Sequence, residues 1–358
     1  MSHRPRVAFV LAAGKGTRLA PLTDERPKPL VEVVGLPLVE VALQHAKRAG
    51  VEVAVLNSHH LHPAIPDALG EAYDGMPLLY SHEPVLLGTG GGFKVMHQVL
   101  QQHRPDLDGG PYLAINADAF CDFDVAAFVD AHDQAANAHD VTGSMLLKAV
   151  PDADKYGVIG TDADGRVVDF AGRAKLDADV AGQFMFCGIH IFTQKLLDRL
   201  PEPPYAEGGM CVNREGYPKA ILDGEWVQGV VTDAYFQDVG TKERLLNVHT
   251  ERMALVGTDA THLALHAGLD ERAPRVWVHP DADVADDVTF TAPVVVRQAS
   301  VGSGAQLGPH VAVGKGAKVG EGAQLRRAVL QSGATVAPET SVADAILGSS
   351  VVLQTDPT

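Results

Sequence analysis

VAFVLAAGKGTRLAPLTDERPKPL, residues 7–30, decides how the chain is read. Its seven apolar residues Val7 to Ala13 describe a strand buried on both faces, as in a parallel sheet. The strand runs directly into Gly14-Lys15-Gly16-Thr17-Arg18, where the backbone must turn sharply and present bare N–H groups. Arg18 and Lys28 bring two fixed cations to the same mouth. A glycine-rich turn with Arg and Lys behind a buried strand describes a polyphosphate site. The spacing is not that of a P-loop, which needs G-x-x-x-x-G-K-[ST]. Nor is it a dinucleotide fingerprint, because Leu19 stands where the third glycine belongs.

At 358 residues the chain is too long for one small core and suits two domains. A net charge of −16 argues against wholesale nucleic-acid binding, so an anionic ligand must meet a local cationic pocket. Cys121, Cys187 and Cys211 lie far apart without metal spacing and fit reduced thiols in a cytoplasmic protein. No signal peptide or membrane-spanning run is expected.

Pro37 opens a predicted helix with Val39, Ala42, Leu43, Ala46 and Ala49 on one face, ended by Gly50. Val51 to Leu56 returns as a buried strand, which makes a right-handed βαβ unit and a parallel sheet. Asn57 and Ser58 at its carboxyl end lead to His59, His60 and His62, which lack a matching Cys or His group and read as loop histidines beside a ligand pocket. A strand at Leu78 to Ser81 leads to Leu87-Gly88-Thr89-Gly90-Gly91-Gly92, a second glycine-rich turn. It is expected to precede a helix bearing Phe93, Met96, Val99 and Leu100. Tyr112 to Asn116 is the third strong strand, with Asp118 just past its end. Asp122 and Asp124 are better placed than Asp118 to cap the helix that follows. Val141–Val150, Lys155–Ile159, Asp164–Phe170 and Phe184–Phe192 read as further strands and tight turns. Asp238 ends another strand, and Thr241 caps a helix carrying Leu245, Leu246 and Val248.

After a part-helical connector the period changes. Val301, Leu307, Val313, Val319 and Leu325 recur every six residues. Val278, Val284, Phe290 and Val296 keep that spacing one position out of register, and Leu330, Val336 and Val342 continue it. A strict repeat of six with small residues between predicts a parallel β-helix of about four stacked coils. The expected boundaries are residues 1–252 for the first domain, 253–273 for the connector and 274–358 for the repeat.

The string L-A-A-G-x-G-T-R-L-x-P-L-T…P-K-P-L-V resembles the signature of the sugar-1-phosphate nucleotidylyltransferases, and later segments agree. Ser81-His82-Glu83 through Gly90 is similar to the family's S-x-E-x-x-x-L-G-T-x-G, most closely in its guanylyl-transferring members. Ile115-Asn116-Ala117-Asp118 is similar to V-x-N-G-D with Ala for Gly. Asn213-Arg214-Glu215-Gly216-Tyr217-Pro218 matches N-R-E-x-Y-P. The family's E-K-P, whose Lys grips the sugar phosphate, is replaced by Gly172-Arg173-Ala174-Lys175.

The resemblance implies an α/β fold: a Rossmann-like mixed, mostly parallel sheet followed by a left-handed parallel β-helix. It implies transfer of a nucleoside monophosphate from an NTP to a sugar 1-phosphate, with Arg18, Lys28, Asp118 and Asp238 catalytic and Mg2+ held by the two aspartates. It places the nucleotide at Leu11, Ala13, Gly14, Gly16, Thr17, Glu83, Gly88 and Thr89. The sugar phosphate falls to Gly157, Arg173, Lys175, Gly188, Asn213 and Glu215, with Arg173 and Lys175 both open for the phosphate itself. Base and sugar stay open. GTP with mannose 1-phosphate leads, against uridylyl, thymidylyl or adenylyl transfer to another hexose 1-phosphate, or a silent paralogue that only binds nucleotide sugar. The β-helix is expected to assemble a homo-oligomer, and a chain ending near Met253 to keep activity. Acyl transfer by the repeat is disfavoured, since His310 lies on a Gly-Pro corner of a short solenoid.

Overall fold

Phe9 shows why the first strand sits where it does: it is fully buried, stacks on Tyr112 at 5.0 Å and meets Phe192 at 5.9 Å. In the computed structural model, which describes residues 3–150, 157–202, 205 and 209–355, the chain forms two compact units. The first comprises Met1–Gly14, Ala42–Ala117 and Phe123–Phe236.

Four parallel strands form the middle of its sheet, in the order Tyr112–Asn116, Val7–Leu11, Val53–Ser58, Met76–His82. The apolar runs of the first three are buried on both faces, as central parallel strands require, while Met76–His82 is only half-buried. Gly182–Phe192 adds to Tyr112–Asn116 in the antiparallel sense, and Val158–Thr161, Val167–Phe170 and Ala174–Lys175 extend that edge, all antiparallel. Val141–Lys148 also pairs with Gly182–Phe192 and carries the parallel strand Trp226–Thr232. The sheet is therefore mixed, with its parallel run in the first half. Of the expected strand at Lys155–Ile159, Lys155 and Tyr156 lie outside the described residues.

One expected boundary moves. The helix after the second glycine-rich turn is Gly88–His103, so Gly88 to Gly92 are its first residues rather than a loop before it. Packing accounts for the glycines there. A Cβ on Gly91 would sit 2.7 Å from Leu87 Cβ, and one on Gly92 would sit 2.9 Å from Asn57 Nδ2.

The second unit comprises Lys15–Val41, Asp118–Asp122 and Gln237–Thr358. It joins the glycine-loop segment to the C-terminal repeat, across the boundaries read from sequence. In the repeat, short strands pair in parallel with strands 17 or 18 residues on: Val278 with Val296, Val296 with Val313, Val313 with Leu330, Leu330 with Leu347. The aliphatic residues spaced by six line a buried stack with Ala305, Ala317, Ala323 and Ala334 between them. Three hexapeptides make eighteen residues, and the slip of one seen in the sequence makes seventeen. The connector is not part-helical. Past the helix Lys242–Met253 the chain makes turns, then the exposed strand Asp270–Ala273, antiparallel to Val276–Val278. Among the described residues no helix is long and apolar enough to cross a membrane.

Two histidines in the first unit are buried in their neutral form. His132 is bonded to Ser144 Oγ at 2.8 Å and His190 to Tyr217 Oη at 2.5 Å. Burial lowers their pKa from 6.5 to about 4 and about 3. As the folded values are depressed, the unfolded chain takes up these protons first. Stability is full above pH 6.5 and falls as the pH drops toward the folded values. His190→Gln should flatten the fall in unfolding free energy between about pH 6 and 4.5 by up to about 1.4 kcal/mol per pH unit. Urea titrations with the same slope for both proteins would contradict this.

Candidate active site

A cationic cluster lies within the second unit and starts from Gly16. Its φ is +63°, and a Cβ there would stand 2.8 Å from Lys28 Cβ. The glycine turn therefore lies against the stem of Lys28. Lys28 opens the short 3-10 turn Lys28–Leu30 between two prolines and is only 4% exposed. Its Nζ is 3.3 Å from Asp118 Oδ2 and 3.4 Å from Asp238 Oδ1. The second oxygen of Asp238 receives Arg18 Nη2 and Arg244 Nη1, each at 3.2 Å.

Burying an unpaired ammonium would cost several kcal/mol, on the order of 3–5, and two carboxylates offset that cost. The cluster holds three cations against two carboxylates, so one positive charge is left to meet an anion. Gly240 completes the wall: it is buried, and a Cβ there would stand 2.8 Å from Arg18 Cζ. Asp238 does not end a strand of the main sheet. It closes Tyr235–Asp238, which pairs with Ala119–Asp122 as a separate two-stranded sheet.

Among the described residues no group of three or more His, Cys, Asp or Glu could hold a metal. Asp118 and Asp238 do converge on one cation, Lys28 Nζ, with hard carboxylate oxygens. That donor pair fits an ion that takes its other ligands from water and substrate phosphates, and does not fit an all-protein cage. The loop histidines have other partners. His59 Nδ1 is 2.8 Å from the Glu83 carbonyl, and the rings of His62 and His82 stack at 3.9 Å.

The first unit holds the other expected residues. Leu11 ends the first strand, and the next N–H, of Ala12, donates to Asn57 Oδ1 at 2.6 Å. Asn57 Nδ2 donates to Glu83 Oε1 at 2.7 Å, and Leu87 N–H to Glu83 Oε2 at 3.0 Å. The two oxygens of this buried carboxylate thus tie the end of Val53–Ser58 to the residue before the helix Gly88–His103. Ala13 is buried, whereas Gly14 is exposed with nothing within 4 Å of a Cβ. In the second unit Thr17 is exposed in the turn Thr17–Leu19. Gly88 packs against the Met210 carbonyl, where a Cβ would collide, and Thr89 Oγ1 accepts the Val212 N–H at 2.9 Å.

On the sugar-phosphate side, Gly188 sits at a shift of register in Gly182–Phe192 with φ +73°, and a Cβ there would be 2.7 Å from Asn116 Nδ2. Asn213 Oδ1 is buried without a hydrogen-bond partner, and Glu215 Oε2 accepts the Cys211 N–H at 3.2 Å. Gly157 has φ +83° and packs on Ala171. Arg173 lies in a turn, and only Lys175 is in a strand, Ala174–Lys175. Both are exposed and flank buried Ala174, so both remain open to a ligand.

Two residues of these clusters are absent from the sequence reading's site. Asn57 was legible as a polar residue at the carboxyl end of a buried strand. Arg244 carried no such sign, because only the helix after Thr241 turns it back to Asp238.

A family model described as "Nucleotidyl transferase" matches residues 7–254, and one described as "GMPPB C-terminal domain" matches residues 289–355. The chain is 31% identical over 306 residues to a mannose-1-phosphate guanylyltransferase of Mycobacterium tuberculosis, covering 84% of this chain and 76% of that protein. It is 28% identical over 244 residues to a mannose-1-phosphate guanylyltransferase catalytic subunit beta of Dictyostelium discoideum, covering 67% and 62%. It is 25% identical over 345 residues to a probable mannose-1-phosphate guanylyltransferase 3 of Oryza sativa subsp. japonica, covering 95% and 85%.

The two loop glycines give a clean comparison. Gly16→Ala forces a left-handed Cβ onto Lys28 and should cost about 1–2 kcal/mol in urea unfolding. Gly14→Ala meets open space and should change stability by less than about 0.5 kcal/mol. Equal losses would contradict the packing of Gly16 on Lys28.

Proposed function

The chain belongs to the nucleotidyl transferase family, among its sugar-1-phosphate enzymes, and from that premise we propose that it makes GDP-mannose and pyrophosphate from GTP and mannose 1-phosphate. The observation that carries this reading is the buried Lys28 ammonium shared by Asp118 and Asp238, beside Arg18. An oxygen of the sugar phosphate attacks the α-phosphorus of GTP, and the bond from that phosphorus to the oxygen bridging to the β-phosphate breaks. Pyrophosphate leaves with that electron pair. The attacking oxygen is already ionised, so no general base is required, and catalysis is positioning and charge stabilisation.

Arg18 holds the leaving phosphates, Lys28 the charge that grows between incoming and leaving groups, and Arg173 the incoming phosphate, with Lys175 second. Glu83, Gly88 and Thr89 shape the base and ribose subsite, with Leu11, Ala13, Gly14, Gly16 and Thr17 lining the nucleotide. Gly157, Gly188, Asn213 and Glu215 line the sugar, and the unpartnered Asn213 Oδ1 supports a hydroxyl donor there. Enzymes of this kind use a divalent metal. Asp118 and Asp238 are its holders in this chain, with Mg2+ the ion their oxygens suit. When bound it offsets charge on the α-phosphate.

We further propose that residues 1–252 form the transferase region, 253–273 a connector and 274–358 a left-handed parallel β-helix that joins chains into a homo-oligomer. The pairings 17 or 18 residues apart support the β-helix. The three free cysteines suit a reducing, cytoplasmic setting.

Offered each triphosphate against a set of hexose 1-phosphates, the enzyme should release pyrophosphate fastest with GTP and mannose 1-phosphate. A faster uridylyl or thymidylyl reaction would overturn the assignment. Asp118→Asn and Asp238→Asn should each lower kcat by at least about 100-fold. Full activity in both variants, or in EDTA, would remove the metal role. Arg173→Ala should raise KM for the sugar phosphate strongly while KM for GTP stays within about threefold, a difference below about 1 kcal/mol. The same selective defect in Lys175→Ala alone would pass the role to Lys175.

A further inference from the structure

Within the second unit, the segment that carries Lys28 is bound along its length by one corner of the repeat. The paired residues Val296, Val313, Leu330 and Leu347 occupy equivalent places in successive turns. The residues that follow them are Arg297, Gly314, Gln331 and Gly348. All four meet residues 25–35, in reverse order along the chain. Arg297 Cγ would be 3.2 Å from a Cβ on Gly35. A Cβ on Gly314 would collide with Glu32 Oε2, and one on Gly348 would collide with Glu25 Oε2.

Gln331 is the most telling of the four. It is fully buried beside a stack of Val, Leu and Ala, where an unpaired amide costs free energy. Its partners are the backbone of Glu32: Glu32 N–H donates to Oε1 at 2.7 Å, and Nε2 donates to the Glu32 carbonyl at 3.1 Å. The next residue, Ser332, donates its N–H to Glu32 Oε1 at 2.9 Å and its hydroxyl to the same oxygen, and its carbonyl accepts from Arg26 Nη2 at 2.9 Å. Burial pushes the Glu32 carboxyl above its usual range, against the pull of Ser332 and Arg26.

At the other end of the segment, Ser349 and Ser350 each donate an N–H and a hydroxyl to Glu25, at 2.5 to 2.9 Å. A fixed point also follows Glu32. Val34 N–H donates to His249 Nδ1 at 3.3 Å, and His249 Nε2 lies 3.2 Å from the His310 carbonyl. Lys28 thus stands between fixed points at Glu25 and Glu32.

We propose that this corner of the repeat is a positioning rail for Lys28, with Gln331, Ser332, Ser349 and Ser350 as positioning residues that act through residues 25–32. The role goes beyond assembly, and it rests on the transferase reading above only for its effect on rate. It also reverses the expectation for a chain ending near Met253, which would lose all of these partners.

The test uses the full-length protein in three variants. Gln331→Met removes the amide at similar volume, and Ser349→Ala with Ser350→Ala removes two surface hydroxyls with little threat to folding. Ser303→Ala, at another corner and bonded to Asp287, is the control. Hydrogen–deuterium exchange of the 26–34 peptide should rise at least tenfold in the first two variants and stay unchanged in the control. Their kcat should fall at least tenfold, with KM for both substrates within threefold.

Unchanged exchange at 26–34 overturns the proposal whatever the activity. So does a kcat loss that Ser303→Ala shares, or one matched by rising KM. Faster exchange in a protein whose wild type transfers no nucleotide would sustain the rail and refute the proposed reaction instead.

Discussion

The Lys28 ammonium, buried and held between two carboxylates, is the constraint on which the second unit depends. Its charge can be buried only because Asp118 and Asp238 reach it from positions 90 and 210 residues away. Gly240, two residues past Asp238, leaves room for the Arg18 guanidinium that binds that aspartate. The same arrangement leaves net positive charge at one place in a protein whose overall charge is −16, which suits a polyphosphate.

Much of this was legible before any coordinates, for a physical reason. The first strand had to be buried on both faces because it carried seven apolar residues in a row, and the sheet places it centrally. The period of six marked the aliphatic residues of short strands that pair in parallel, and its one-residue slip is why those pairings are 17 as well as 18 residues apart. Arg18 and Lys28 stood out behind the glycine-rich turn and Asp118 just past a buried strand, and the structure brings their charges together; Asp238 joins them from a separate two-stranded sheet.

What sequence could not show was packing between segments far apart in the chain. The two oxygens of Glu83 are bonded to Asn57, 26 residues earlier, and to Leu87. Residues 88–92 read as a glycine-rich turn before a helix. They open the helix Gly88–His103 itself, with glycine at the positions where neighbouring atoms leave no room for a Cβ. Gln331 and Ser332 follow Leu330 in the aliphatic repeat. Their partners lie about 300 positions earlier (|i−j| of 299 and 300), and no local pattern encodes such a pairing.

The central claim is that Lys28 and the aspartates act as one charged unit, and a double-mutant cycle tests it most directly. Lys28→Met, Asp118→Asn and the double variant would be compared in kcat/KM for triphosphate. Coupled residues lose less together than the product of their separate losses, here by at least about tenfold, or about 1.4 kcal/mol. Losses that multiply would mean that Lys28 and Asp118 act independently, and that result would contradict the account.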